Sequence, residues 1–335
     1  MKCPQVNLLA HLRSKTQVDL DTFDIDAARE LGGCIDCTSN QYEYYTELAK
    51  SSRNELLDKS IKLAASIHGQ FLSVTFNELA VEIAAVYLAM EIVPMVDGNM
   101  HIMANPRYSY SKQRIIETGK RLHHLCKVIQ PSFNTSRLVM KVPATWEGLQ
   151  ACRELTQCNI KVLATTLFTM EQAVLAGEVG CVSISPFVHE LKALFDEHYE
   201  DSNPRLDVCL QAQRWYTQQS LATKVKACAT VGVDELLQLA GIDALTIVPD
   251  DLRELKSIYR SEIEVNELSL FKAVSLPEGK LAYPSYIDDE AKYRMDFDHA
   301  EDGKAQFKLC QAITIFCDYQ NKAECLVQAA HAGNA

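Results

Sequence analysis

The stretch RLVMKVPATWEGL (Arg137–Leu149) places one lysine, Lys141, inside an apolar run, with a helix-like segment following directly from Thr145. Alternation of short β-like runs and amphipathic runs extends outward from it in both directions. The predicted strands are 17–21, 33–38, 101–105, 138–143, 160–166, 181–186, 224–229 and 244–248, each a short run enriched in apolar and β-branched residues. Between them lie helix-like segments such as 76–91, 112–129, 147–156, 170–176, 204–219 and 234–240. After the fourth strand, Trp146, Leu149, Cys152 and Leu155 recur about once per helical turn and would cover one strand face.

Regular βα alternation requires a parallel sheet, and eight units fit a closed (β/α)8 TIM barrel better than an open doubly wound sheet. No GxGxxG or GxxxxGK[ST] follows any strand, so the usual phosphate cradles of open sheets are missing. The chain reads as one barrel domain over 1–335, with 260–335 as an acidic, turn-rich segment followed by a helical cap. That cap spans 304–329, with Phe307, Cys310, Thr314 and Cys317 sharing a face.

A net charge of −11 over 335 residues, with no basic stripe, excludes a nucleic-acid or anionic-membrane surface. The start of the chain, MKCPQVNLLAHLRSK, reads as neither a secretory leader nor a membrane span, because its apolar patch is short and interrupted. Twelve cysteines, mostly inside apolar segments, indicate a reducing, cytoplasmic setting with cysteine as a small hydrophobe. The pair Cys34 and Cys37 has CxxC spacing but no second ligand pair, and reads as core. His123, His124 and Cys126 share a barrel helix, and Asp296, Asp298 and His299 lie in an acidic run. Neither group forms a metal-ligand pattern, so no metal is expected.

Barrel active sites form at the C-terminal ends of the strands. The candidates there are Asp19, Asp21, Asp36, Asn40, His101, Asn105, Lys141, Thr165, Thr166, Ser183 and Ser185. An ammonium buried among apolar groups costs free energy unless it is paired or loses its proton. Lys141 is therefore either half of a structural ion pair or a nucleophile that forms a Schiff base with a carbonyl compound. In the second case the imine is itself the electron sink, and no cofactor is required.

The segments KVPATWEGLQACREL and LATTLFTMEQAVLAGEVGCVSISPFV, with DLDTFD, CTSN, RYSY and ELLQLAGIDALTIVP in order, resemble the transaldolase family over roughly residues 15–260. The resemblance implies a class I Schiff-base aldolase on a (β/α)8 barrel, often dimeric, that moves a dihydroxyacetone unit between sugar phosphates. It implies that Lys141 forms the Schiff base and that Asp21 takes the hydroxyl proton during aldol cleavage. Asn40 would bind substrate hydroxyls, although Gln41 replaces the proline that usually follows. Thr165 would position water, while Ser185 and Phe187 would line the substrate channel.

Several positions depart from the family pattern. Met103 stands where the family has a glutamate that handles protons through water, and Leu163 stands where it has an asparagine. The two phosphate-binding arginines correspond to Glu190 and Val231. Their loss would weaken phosphate binding by ~100-fold or more, at about 1.5–3 kcal/mol per charged hydrogen bond. These departures suggest aldol or retro-aldol chemistry on an unphosphorylated, less polar carbonyl compound, in specialised metabolism. Met103, Asn105 and Glu190 would then contact substrate, and His101, on the face of its strand that carries Met103, is a candidate proton shuttle. Two alternatives remain: an authentic transaldolase holding phosphate through Lys224 or Lys226, and a catalytically silent binding protein.

Overall fold

The computed structural model describes residues 4–271 and 281–333. Eight parallel strands close into a barrel in sequence order: β1 (Gln17–Asp21), β2 (Cys37–Thr38), β3 (Met100–Met103), β4 (Leu138–Pro143), β5 (Lys161–Leu167), β6 (Ser183–Pro186), β7 (Lys224–Ala227) and β8 (Ala244–Ile247). The ring closes where β1 pairs with β8, Asp19 lying opposite Thr246. The expected (β/α)8 barrel is present, and its helices match the sequence periodicity closely. In the helix Trp146–Gln157, Leu149, Cys152 and Leu155 are fully buried against the strands.

β2 is shorter than the expected 33–38. Gly32 and Gly33 adopt φ of +47° and +62°, which no extended strand permits, and the Arg13 guanidinium packs over Gly33. Cys34 thus precedes the strand; both it and Cys37 are buried. In β5 the register shifts between Ala164 and Leu167, with Thr166 at φ +53°. Bulges of this kind re-aim side chains at barrel rims. A short antiparallel pair, Gln5–Asn7 with Tyr259–Ser261, ties the start of the chain to the segment that follows the barrel.

The described residues after 260 hold more helix than their acidic composition suggests. They include a helix, Glu290–His299, whose cap Asp289 accepts a hydrogen bond from the Lys292 amide and whose Tyr293 and Phe297 are buried. Residues 272–280 of the expected acidic segment lie outside the described residues, as does Cys3. The final helix, Lys304–Gly333, is 30 residues and about 45 Å long. It crosses the strand ends and packs on the helices Gln41–Leu48 and Phe76–Ile92 and on the turns Pro106–Tyr108 and Leu191–Leu194. The face with Phe307 and Cys310 is exposed; the buried face is instead Lys308, Leu309, Ala312, Ile313 and Phe316. Lys308 is tolerated there because Glu301 accepts its hydrogen bond at 2.7 Å.

Candidate active site

Side chains alternate along each strand, so β1 turns Asp19 and Asp21 into the barrel, and β3 turns in His101 and Met103. They occupy different layers. Asp19, Asp36, His101 and Lys226 form a buried ionic cluster deep in the barrel. Lys226 Nζ lies 2.5 Å from Asp19 and 2.8 Å from Asp36, and His101 Nε2 lies 3.1 Å from Asp36. Burial pushes the Asp19 carboxyl up, whereas the bonds from His101 and Lys226 overcome burial and hold Asp36 well below the usual carboxylate range. Burial lowers the His101 pKa. His101 is therefore committed to Asp36 and does not line the open cavity. Lys226 is equally committed, and Lys224 pairs with Asp243 at 3.1 Å, so neither lysine is placed to hold a phosphate.

The next layer lies level with Lys141, which pairs in register with Met103 on one side and Leu163 on the other. Lys141 is 5% exposed, and among the described residues its Nζ has no hydrogen-bond or ion-pair partner. It opens into a cavity of about 740 Å³ that Asp21, Asn40, Glu43, Phe187, Cys228 and Phe316 also line. Asp21 accepts a hydrogen bond from the Thr38 hydroxyl at 2.7 Å, which fixes its carboxylate. Asn40 caps the helix Gln41–Leu48 through its side-chain oxygen, which accepts from the Tyr42 and Glu43 amides. Its amide nitrogen is left as the group it can offer a ligand.

Other expected contacts are placed elsewhere. Asn105 donates to Glu78 at 3.2 Å and caps the turn Pro106–Tyr108, away from this cavity. Glu190 is also outside: its carboxylate accepts from the Tyr199 hydroxyl and from Gln311 of the final helix at 2.9 Å. Met103 lies behind the cavity wall, in an apolar cluster with Phe168, Phe187, Leu191, Cys228 and Phe316. Thr165 and Ser185 are buried at the ends of β5 and β6. Ser185 hydrogen-bonds Cys228, and the Thr165 hydroxyl has no partner among the described residues. The wall at the Val231 position is half-exposed and apolar, continuing into Leu194 and Phe195, with Phe195 edge-on to Tyr42.

Sequence reasoning missed Glu43, Cys228 and Phe316. Glu43 stands three residues after Asn40, the spacing of a helix cap followed by its first-turn acid, which reads as a structural device. Its proximity to the DLDTFD and CTSN motifs was the available signal. Phe316 comes from the final helix, on a different face from Phe307, Cys310, Thr314 and Cys317. Among the described residues no three His, Cys, Asp or Glu are grouped to hold a metal ion. Cys126 is buried, His124 lies edge-on to Phe71, and Asp296 accepts from the Tyr286 hydroxyl. No helix among the described residues is long and apolar enough to cross a membrane.

The closed eight-stranded parallel barrel thus carries an unpaired lysine, Lys141, and the carboxyl groups of Asp21 and Glu43 in one cavity at its strand ends. The family profile described as Transaldolase/Fructose-6-phosphate aldolase matches residues 18–324. Similar proteins include the transaldolase of Shewanella frigidimarina, 30% identical over 96% of this chain and 98% of its own. That of Shewanella denitrificans is 29% identical over the same shares, and that of Prochlorococcus marinus is 28% identical over 92% and 91%. The chain belongs to the transaldolase/fructose-6-phosphate aldolase family, whose activity is of the aldolase or transferase kind.

Proposed function

We propose that this chain catalyses aldol or retro-aldol chemistry through a Lys141 Schiff base on an unphosphorylated carbonyl compound. The observation that carries this reading is the charge inventory of the cavity. Its described cations are Lys50, Arg253 and Lys141. Lys50 pairs with Asp24 at 2.7 Å and with Glu47 at 2.5 Å, and Arg253 pairs with Glu30 and Asp250, both at 2.8 Å. Only Lys141 is uncommitted, and a lysine spent on a carbonyl carbon cannot also bind a phosphate dianion. The apolar stretch formed by Tyr42, Leu194, Phe195 and Val231 suits a substrate whose far end is uncharged. In the assigned roles, Asp21 takes the proton of the β-hydroxyl group as the C–C bond breaks, and Asn40 binds a substrate hydroxyl. The unpartnered Thr165 hydroxyl orients water. The departures at both phosphate-arginine positions, Glu190 and Val231, favour specialised over central carbohydrate metabolism. All eleven described cysteines are free, in keeping with a reducing cytoplasm.

The test is borohydride trapping read by intact mass, offering fructose 6-phosphate, dihydroxyacetone and a panel of neutral hydroxyketones and aldehydes. Adducts with neutral carbonyls but not with the sugar phosphate are expected. The relatives' name, transaldolase, favours a second reading, transfer between sugar phosphates, and efficient trapping of fructose 6-phosphate would establish it instead. A gain-of-function variant checks the same point. Val231→Arg adds a cation to the cavity wall and should raise adduct formation with fructose 6-phosphate about 10–100-fold, the equivalent of about 1.5–3 kcal/mol for a charged hydrogen bond.

A further inference from the structure

We propose that Glu43 is the acid that drives water out of the Lys141 carbinolamine and the base that starts hydrolysis of the imine, an inference that rests on the Schiff-base reading. Glu43 projects from the first turn of the helix Gln41–Leu48 into the cavity shared by Lys141 and Asp21. A carboxyl group at that place on a helix is ordinarily ionised, because the amide ends and the dipole favour the anion. Here burial, and then the neighbouring Asp21 carboxylate, push its pKa up to about 8, against the Thr22 hydrogen bond and the Lys141 charge. That direction favours a retained proton at neutral pH, in the cavity shared with the lysine.

The remaining titratable groups facing it are otherwise engaged. On its own helix, Glu47 is bonded to Lys50 and Arg53. From the loop after β1, Asp24 caps a helix and pairs with Lys50. From β7, the Cys228 thiol is pushed up to about 12 by burial and gives no useful proton exchange at neutral pH. Across the cavity, Asp250 is paired with Arg253, and Asp251 is raised by burial and then by Glu254 and Asp250. Among the described groups of the cavity, Glu43 combines a raised proton affinity with the charge environment of Lys141.

The chemistry balances without another reactant. Once Lys141 has released its ammonium proton to water, Nζ adds to the carbonyl carbon, the π pair moves to oxygen, and a proton passes from nitrogen to that oxygen, giving the carbinolamine. Glu43 protonates the hydroxyl, the C–O bond breaks, water departs, and the nitrogen lone pair closes the C=N bond. The product is an iminium beside a Glu43 carboxylate. In hydrolysis that carboxylate takes a proton from the attacking water. Asp21, fixed by Thr38, is left for the C–C step, so two carboxyl groups of one cavity divide the work.

Rapid-quench borohydride trapping of dihydroxyacetone, from pH 6 to 10, tests this in the wild type, Glu43→Gln, Glu43→Asp and Lys141→Met. In the wild type the Lys141-dependent rate should lose a component as pH rises through about 8. Glu43→Gln should lack that component and be slower by on the order of 100-fold, with Glu43→Asp retaining it at an intermediate rate. Thermal unfolding verifies that the variants fold. A carboxyl group whose pKa is raised on folding stabilises the protein at low pH, and that stability is lost as pH rises toward 8. Glu43→Gln should therefore melt no lower than the wild type at pH 9. An unchanged rate and pH profile in Glu43→Gln overturns the role of Glu43 while leaving the Schiff base standing. Absence of any Lys141-dependent adduct in the wild type removes the imine and this proposal with it.

Discussion

Lys141→Met should abolish C–C bond turnover, by at least ~10⁴-fold, because the other described lysine of the cavity, Lys50, is held by Asp24 and Glu47. The same variant should be as stable as the wild type or more so. Lys141 is buried without a partner among the described residues, flanked in its layer by Met103 and Leu163. Methionine has a similar length and carries no charge to desolvate, so a gain of about 1 kcal/mol is expected. Activity assays beside thermal melts check the pair of outcomes. Loss of activity with a raised melting temperature marks a functional lysine held at a cost to the fold. Full turnover without Lys141 would end the Schiff-base reading, and a biological output unchanged by the substitution would favour a non-catalytic binding role.

Lys226→Met should have the opposite character, with a large loss of stability. Lys226 bridges Asp19 and Asp36 deep in the barrel, and its removal leaves two carboxylates facing each other beside His101. Breaking a buried ionic group by deleting one partner costs about 3–5 kcal/mol. Adding Asp19→Val to Lys226→Met removes one of the stranded charges and leaves Asp36 with His101. That double variant should recover at least half of the loss. Urea unfolding of the wild type, both single variants and the double variant measures this coupling; additive losses would show that the cluster does not act as a unit.

The two lysines illustrate what the sequence made legible. Periodicity located all eight strands because parallel barrel strands are short, buried apolar runs separated by helices of regular length. It placed Lys141 and Asp21 in the barrel, since alternation along a strand fixes which side chains point inward. It did not distinguish layers. His101 lies on the same strand face as Met103, yet two residues along a strand are about 6.6 Å, enough to remove it from the cavity and attach it to Asp36. Asn105 and Glu190 lie beyond the strands, in turns whose course depends on remote partners: Glu78 in one case, Tyr199 and Gln311 in the other. Glu43 escaped because its helix-cap spacing gave it an adequate structural explanation. Its unusual proton affinity comes from burial and Asp21, neither of which local sequence reveals.

The final helix bears on how such barrels can be recombined. Phe316 forms part of the cavity wall, Gln311 holds Glu190 and the Lys192 amide, and Glu324 grips Arg107 after β3 with two contacts of 2.9 Å. Two strand-end loops, one after β3 and one after β6, are thus fitted to one distant stretch of chain. Grafting a relative's loops onto this scaffold would import a floor without its matching roof, and the reverse exchange would meet the same mismatch. Productive chimeras of this protein should require the loops and the last thirty residues to travel together.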